Sequence, residues 1–246
     1  MGKVKHRMNA EDRREAIIAK ATPLFARRGF HGVRFKDIAK AASISEALVC
    51  RHFPDKEALF EAIQDSGCSR PDDIFEFANS LPRSTESLVT VTYLIARTIV
   101  MDEGVQPGHE ENIVRLIGHS LLEDGQFAKN IVSNKINKWI DVLSKHLDAA
   151  IKSGDVSPGT ANTRSLIWIC HHLIISICMF NLPKKKPVEY GMNREEMLEH
   201  TLLVIFRGVG MKPAVIEKYY DSKKLKEIAK QNLSDVQSHN HDRNTK

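Results

Sequence analysis

The stretch RFKDIAKAASISEALVCRHF, residues 34–53, decides how the rest of the chain is read. Ile38, Ala39 and Ala42 recur at helical spacing and give a first short helix one apolar stripe. Ser43-Ile44-Ser45 interrupts it. Ser45 is a good N-cap, because its hydroxyl can accept from a first-turn N–H of a second helix carrying Leu48, Val49 and Phe53. Glu46, Ala47, Cys50 and Arg51 then share the opposite side. Two helices this short bury too little to stand alone, so each needs a neighbour.

Both neighbours are present. Upstream, Ile17, Ala21, Leu24 and Phe25 follow an i, i+4, i+7, i+8 pattern in a helix over Glu11 to Arg28, ended by Gly29. Pro23 removes a backbone donor inside it and predicts a kink near Ala19. Downstream, Asp55 caps a helix with Leu59, Phe60 and Ile63. Residues 11 to about 64 therefore form a three-to-four-helix unit around a helix-turn-helix, which offers its second helix to the major groove of a DNA duplex.

LFARRGFHGVRFKDIAKAASISEALVCRHFPDKEALF resembles the N-terminal domain of the TetR/AcrR family of bacterial transcriptional regulators, over about 50 of the 246 residues. The Leu-Phe-Ala stretch before Gly-Phe, the Asp-Ile-Ala helix, the Ser-initiated helix and Phe-Pro-x-Lys-Glu-x-Leu carry the likeness. Three positions depart from the family pattern. Val33 replaces a Thr that caps the second helix and touches phosphate, Ser43 replaces the turn Gly, and Cys50 replaces a phosphate-contacting Tyr.

The candidate DNA-binding residues are Arg34, Ser45, Glu46, Ala47, Cys50, Arg51, His52 and Lys56. Arg51 suits guanine O6/N7 and Glu46 a cytosine amine, whereas Ala47 permits close approach or touches a thymine methyl. Arg34, His52 and Lys56 stand near the motif's ends, in reach of the sugar-phosphate backbone. By resemblance, His52 and Lys56 match family phosphate ligands. Lys3, Lys5, His6 and Arg7 form a basic arm, read either as a solvated terminus or as a phosphate-following segment.

Charge is distributed to match. Residues 1–64 hold 13 Lys/Arg against 8 Asp/Glu, residues 65–182 hold 10 against 14, and residues 183–246 hold 13 against 9. A polyanion partner is thus favoured at one end, not along the acidic middle. Four cysteines without a Cys-x-x-Cys point to a reducing compartment. MGKVKHRMN has no apolar core for a signal peptide, and the apolar run Leu166 to Leu182 falls short of the roughly 20 residues of a span. These features predict a cytoplasmic protein with no membrane association.

Beyond Ile63, QDSGCSRPDD reads as a hinge. The expected organisation is a DNA-binding domain over 1–64, an effector-binding and dimerisation domain over 65–212, and a C-terminal helical extension with a disordered tail over 213–246. The fold class is all-α. Helices are predicted over Thr85 to Met101, Glu110 to Leu122, and Val132 to about Ala150. The next has Pro158 in its first turn and runs to Leu182, apolar enough to require cover on more than one side. Lys184-Lys185-Lys186 reads as a solvated turn. Asn193-x-x-Glu196 reads as a capping box opening a helix to about Val209, ended by Gly208 and Gly210. Val215, Ile216, Tyr219, Leu225 and Ile228 suggest docking helices, with polarity implying disorder from Ser234.

The resemblance further implies a homodimer through helices near 160–182 and 194–210, a palindromic double-stranded operator, and a small-molecule effector in the middle domain. Tyr93, Met101, His119, Trp139, Trp168 and His172 are the candidate cavity wall, against a reading as ordinary packing residues. The expected activity is that of a ligand-responsive regulator, most simply a repressor, with no cofactor. A metal- or thiol-sensing regulator is the alternative. Against it, adjacent His171 and His172 project about 100° apart, and Cys170 and Cys178 are two turns apart on one helix. No phosphate-binding Gly loop, zinc helix or nucleophile elbow supports an enzyme.

Overall fold

The structure is a computed structural model that describes residues 8–69, 73–102 and 108–243. The chain divides into two compact units, Met1–Arg70 with Arg115–Ile131, and Pro71–Val114 with Val132–Lys246. Described residues form helices and turns, with one isolated bridge between Val156 and Met211. The basic arm of Lys3, Lys5, His6 and Arg7 lies outside the described residues.

In the first unit α1 spans Ala10–Arg28, α2 Phe35–Ala42, α3 Glu46–His52 and α4 Lys56–Ser69. Asn9 caps α1 by accepting from the Asp12 N–H at 2.8 Å, and Gly29 ends it at φ 68°, its N–H donating to Phe25 O. Pro23 is accommodated within α1, so the helix continues past it to Arg28. Gly32 is required by a close approach: a Cβ there would lie 2.3 Å from the Arg28 carbonyl oxygen. Ile17, Phe25, Val33, Ile38, Val49, Phe53, Leu59 and Ile63 form a fully buried core. Phe25, Phe30, Phe60 and Phe127 add ring contacts at centroid separations of 5.2–6.1 Å.

Two boundaries differ from expectation. The hinge read into QDSGCSRPDD begins later, because α4 continues through Gln64 to Ser69; residues 70–72 lie outside the description. Gln64 is 8% exposed, and its side-chain carbonyl accepts from Asn130 Nδ2 at 2.9 Å, so this polar residue is fixed inside the unit. Asn130 belongs to α8, Gln126–Ile131, which packs on α4 through Phe127. The second difference follows. The partition falls within α7, His109–Leu121, and places residues 115–131 with the first unit instead of the middle domain.

The second unit contains α5 Asp73–Ser80, α6 Thr85–Met101, α9 Asn137–Lys152, α10 Thr163–Asn181, α11 Arg194–Gly208, α12 Pro213–Tyr219 and α13 Ser222–Arg243. A π-helical segment, Val132–Ile136, precedes α9. α6 is its central element, with Leu88, Val89, Val91, Tyr93, Leu94 and Ala96 all buried. It contacts α9, α10, α11, α12 and α13. The capping box of α11 is present: Glu196 N–H donates to Asn193 Oδ1 at 3.0 Å, and Asn193 N–H to Glu196 Oε2 at 2.8 Å.

Two expectations are corrected here. Pro158 does not open the next helix; the Ser157 N–H is held by Gly210 O and the Lys212 N–H by Asp155 O, so this segment lies along the α11–α12 connection. Asn162 caps α10 instead, accepting from Ser165 N–H at 2.9 Å. Within the single chain only Ile167 and Ile174 of α10 are buried, while Ile169 and Phe180 are 62% and 49% exposed, so the chain itself covers one side of this helix. Finally, helix α13 runs through the polar segment after Ser234 to Arg243. That segment contains neither Gly nor Pro, so nothing local stops a helix already docked through Leu225 and Ala229.

Candidate nucleic-acid interface and a cavity in the second unit

Backbone geometry in the α2–α3 turn sets which face of α3 points outward. The Arg34 N–H donates to Asp37 Oδ2 at 3.1 Å at the start of α2. The Asp37 carboxylate at the third position of α2 thus reaches back to the N–H of the N-cap residue, one half of a capping box. Val33 itself is buried in the core. Asp37 is also 3.6 Å from the Arg28 guanidinium, tying α2 to the end of α1.

Ser43 sits at φ 54°, ψ 43°, the left-handed conformation that Gly adopts without a Cβ penalty. Its N–H donates to Lys40 O, and the Ile44 N–H to Ala39 O, closing α2. Two residues later Ser45 Oγ accepts from the Leu48 N–H at 3.2 Å. With one turn fixed by Ser43 and the next helix started by Ser45, α3 has a single register. Val49 and Phe53 face inward at 0% exposure, so Glu46, Ala47, Cys50 and Arg51 are all left exposed on the outer side.

The C-terminal end of α3 is anchored from α1. Arg14 Nη1 donates to His52 O at 3.3 Å, and its guanidinium lies 4.4 Å from the Phe53 ring centroid. Arg14 was not singled out in the sequence, since one Arg among several on an amphipathic helix gives no signal. Arg34 is exposed and His52 half-buried at opposite ends of the motif. Lys56 is half-buried, with Nζ 4.2 Å from the Phe30 ring centroid. A cation at a helix N-terminus opposes the helix dipole; the aromatic face offsets this and holds the ammonium near the surface. Asp55 caps the same helix, accepting from the Ala58 N–H at 2.7 Å.

The six residues read as a cavity wall are not brought together. Tyr93 is buried in the core of α6 and accepts from Arg97 Nη1 at 3.4 Å. Burial raises its phenol pKa. Met101 and Trp139 pack against the main core, Trp139 edge-on to Phe75 at 5.2 Å. Trp168 lies against the His171 and His172 rings, with His172 exposed. His119 belongs to the first unit, its ring 3.5 Å from where a Cβ on Gly29 would stand.

A cavity of about 260 Å³ does exist in the second unit, elsewhere. Val100, Val114 and Met197 are its buried apolar members, with Ile99, Ile177 and Leu182 half-buried beside them. Cys178 also lines it, and burial pushes this thiol up to about 11. Cys170, likewise, is raised to about 11 by burial, so both thiols are neutral and poorly reactive near neutrality. Lys186, Met192 and Arg194 stand exposed at the edge. Sequence periodicity missed this site because its wall joins α6, α7, α10, α11 and the loop after α10. The only available signal was the lysine run followed by the Asn193 cap.

Residues 17–63 match the model of a family described as bacterial regulatory proteins, tetR family. The HTH-type transcriptional regulator UidR of Escherichia coli is 25% identical over 167 residues, covering 64% of this chain and 77% of that protein. The HTH-type transcriptional regulatory protein RaaS of Mycobacterium tuberculosis is 30% identical over 145 residues, covering 59% and 58%. Residues 17–63 thus carry a helix-turn-helix domain of the TetR type. Among solved structures, AibR in complex with isovaleryl coenzyme A and operator DNA superposes with a TM-score of 0.62. It covers 81% of this chain and 100% of its own at 17% identity, a likeness of fold. A TetR-family fold with an N-terminal helix-turn-helix unit and a helical second unit is therefore the setting for both sites.

Proposed function

We propose that this protein is a TetR-family regulator that binds a palindromic operator as a homodimer, acts as a repressor, and is released by a small-molecule effector held in its second unit. The observation that carries the reading is the outer face of α3, where Glu46, Ala47, Cys50 and Arg51 are exposed on a helix whose start and end are both fixed. Arg51 reads a base edge, Ala47 lets the helix approach, and Ser45 positions the helix through its cap. Arg34, His52 and Lys56 hold the backbone on either side. We assign the DNA-binding domain to the helices through α4.

Exposed apolar residues on the two helices of the proposed dimer contact support the homodimer: Ile169 and Phe180 on α10, and Val204 at 56% exposure on α11. α10 is also long and apolar enough, by composition, to cross a membrane. Its His171, His172 and Asn181, and its packing on α6 and α9, favour cover by a second protein surface instead. A dimer then supplies two reading helices for two half-sites. The AibR structure combines an acyl coenzyme A with operator DNA, which supports the effector part of the reading by analogy.

The test is a gel shift of the full chain on the promoter region beside its own gene, repeated across a salt series. Binding with a steep loss of affinity as salt rises supports the reading. Equal, weak retention of promoter and unrelated DNA at low ionic strength would remove it.

A further inference from the structure

The cavity in the second unit combines an apolar floor with two unpaired cations at its edge, and this chemistry specifies more than a generic effector. Val100, Val114 and Met197 close the inner end. Of the four charged side chains that line it, two are negative. Asp102 is engaged: its carboxylate accepts from the backbone N–H groups of Gly108 at 2.6 Å, Glu110 at 3.1 Å and Glu111 at 3.3 Å, which fastens the start of α7. Glu111 is exposed and has an interaction of its own. Lys186 and Arg194 enter no ion pair among the described residues. Arg194 is moreover the first residue of α11, where the helix dipole adds to its positive field.

We propose that this cavity binds an anionic amphiphile, a carboxylate carrying one short alkyl chain, with Lys186 and Arg194 on the carboxylate and the chain against Val100, Val114 and Met197. The inference rests on the proposed reading that the second unit holds an effector, and it names the effector's class. A volume of about 260 Å³ is just under the span of ordinary ligand pockets, which begins at roughly 300 Å³, so a single short chain is accommodated and a bulky polycycle is not. The surroundings of Cys178 agree: a thiol held neutral by burial is an apolar wall, not a nucleophile.

The test titrates the full chain calorimetrically with hexanoate, octanoate and octyltrimethylammonium. Octanoate should bind, and more tightly than hexanoate by about fourfold for each added methylene. Octyltrimethylammonium should bind at least tenfold more weakly than octanoate. The double substitution Lys186→Gln with Arg194→Gln should weaken octanoate by tenfold or more, with thermal unfolding recorded alongside to establish that the variant is folded. Val100→Trp, which fills the floor, should abolish octanoate binding and serves as the second variant. Equal binding of the two octyl probes, no binding of octanoate in the millimolar range, or unchanged octanoate affinity in the folded double variant overturns the proposal. Unliganded operator binding is measured in parallel. A chain that binds operator but not octanoate leaves the regulator reading standing and the effector class wrong, whereas octanoate binding without operator binding does the reverse.

Discussion

The outer face of α3 and the outer face of α10 are both left uncovered in the single chain, and they differ in chemistry. α3 exposes Glu46, Ala47, Cys50 and Arg51. α10 exposes Ile169 and Phe180 over a helix with only two buried residues. A face of the first kind persists in water without a partner, and its charges select what it meets. One of the second kind loses about 25 cal/mol for each Å² of apolar surface left wet, so it is stable only when covered. On the proposed reading the first face suits a partner met transiently and the second a partner that is kept.

The sharpest way to break this comparison is to make the α10 face resemble the α3 face. Ile169→Asp with Phe180→Asp places two carboxylates where the apolar surface was, at positions whose side chains are largely outside the monomer core. The expected product is a folded monomer by sedimentation. Operator affinity should fall by roughly 100-fold or more, since two linked reading helices become one. A variant that stays dimeric would move the contact away from α10.

Acid separates the two units in another way. His146 is fully buried in the second unit, its Nε2 3.4 Å from Arg83 Nη1 and its ring against the Ala78 backbone. Burial, and then the Arg83 charge, lower its pKa from 6.5 to about 4. The folded value lies below the unfolded one, so the unfolded chain takes up the proton first as pH falls. Stability from this group is full above pH 6.5 and is lost progressively down to about 4, a loss of roughly 3 kcal/mol. His171, lowered to about 4 by burial and by His172, adds in the same direction. Both tryptophans are in the second unit, so their fluorescence should report unfolding there at pH 5 under denaturant that leaves the chain folded at pH 7.5. His146→Leu should flatten that dependence; an unchanged pH profile in this variant would exclude His146 as its source.

Within the α3 face, two substitutions distinguish reading from holding. Arg51→Ala should cost about 1–3 kcal/mol of operator binding and relax specificity at one base position. Lys56→Ala should weaken all sequences alike and lower the salt slope by about one. Because Lys56 rests on the Phe30 ring, Lys56→Ala also removes a cation–π contact of about 0.5–1 kcal/mol, so a small loss of stability should accompany the loss of binding. An unaltered salt slope would return Lys56 to a purely structural role.

How much of this was legible follows from where each signal is stored. The first unit's helices, the Ser45 cap and the exposed set on α3 depend on residues a few positions apart, and sequence periodicity reads such spacings directly. The same holds for the Asn193–Glu196 box. What escaped depends on distant partners. α4 passes the predicted hinge because Gln64 meets Asn130, 66 positions away. Pro158 is kept out of a helix by backbone bonds to the α11–α12 connection. The aromatic and histidine residues offered as a cavity wall were chosen by type, and type alone does not distinguish a lining residue from a core one. The actual lining of Val100, Val114, Ile177 and Met197 consists of the commonest core residues.

The smallest effect concerns the turn that sets α3 against α2. Ser43 holds a positive φ that costs a residue with a Cβ about 1–2 kcal/mol, and the family pattern places Gly there. Ser43→Gly removes that cost but enlarges the conformational freedom of the unfolded chain, which returns about 0.5–1 kcal/mol to the unfolded side. The balance should be a gain of under about 1 kcal/mol, seen as a slightly higher denaturant midpoint at constant slope. Ser43→Val, branched at Cβ, should move the midpoint the other way. Ser43 is exposed, so neither change removes a core contact, and the sign of the difference isolates backbone strain. If Ser43→Gly lowered the midpoint, the serine hydroxyl rather than the turn dihedral would be the stabilising element, and the fixed register of α3 would rest on Ser45 alone.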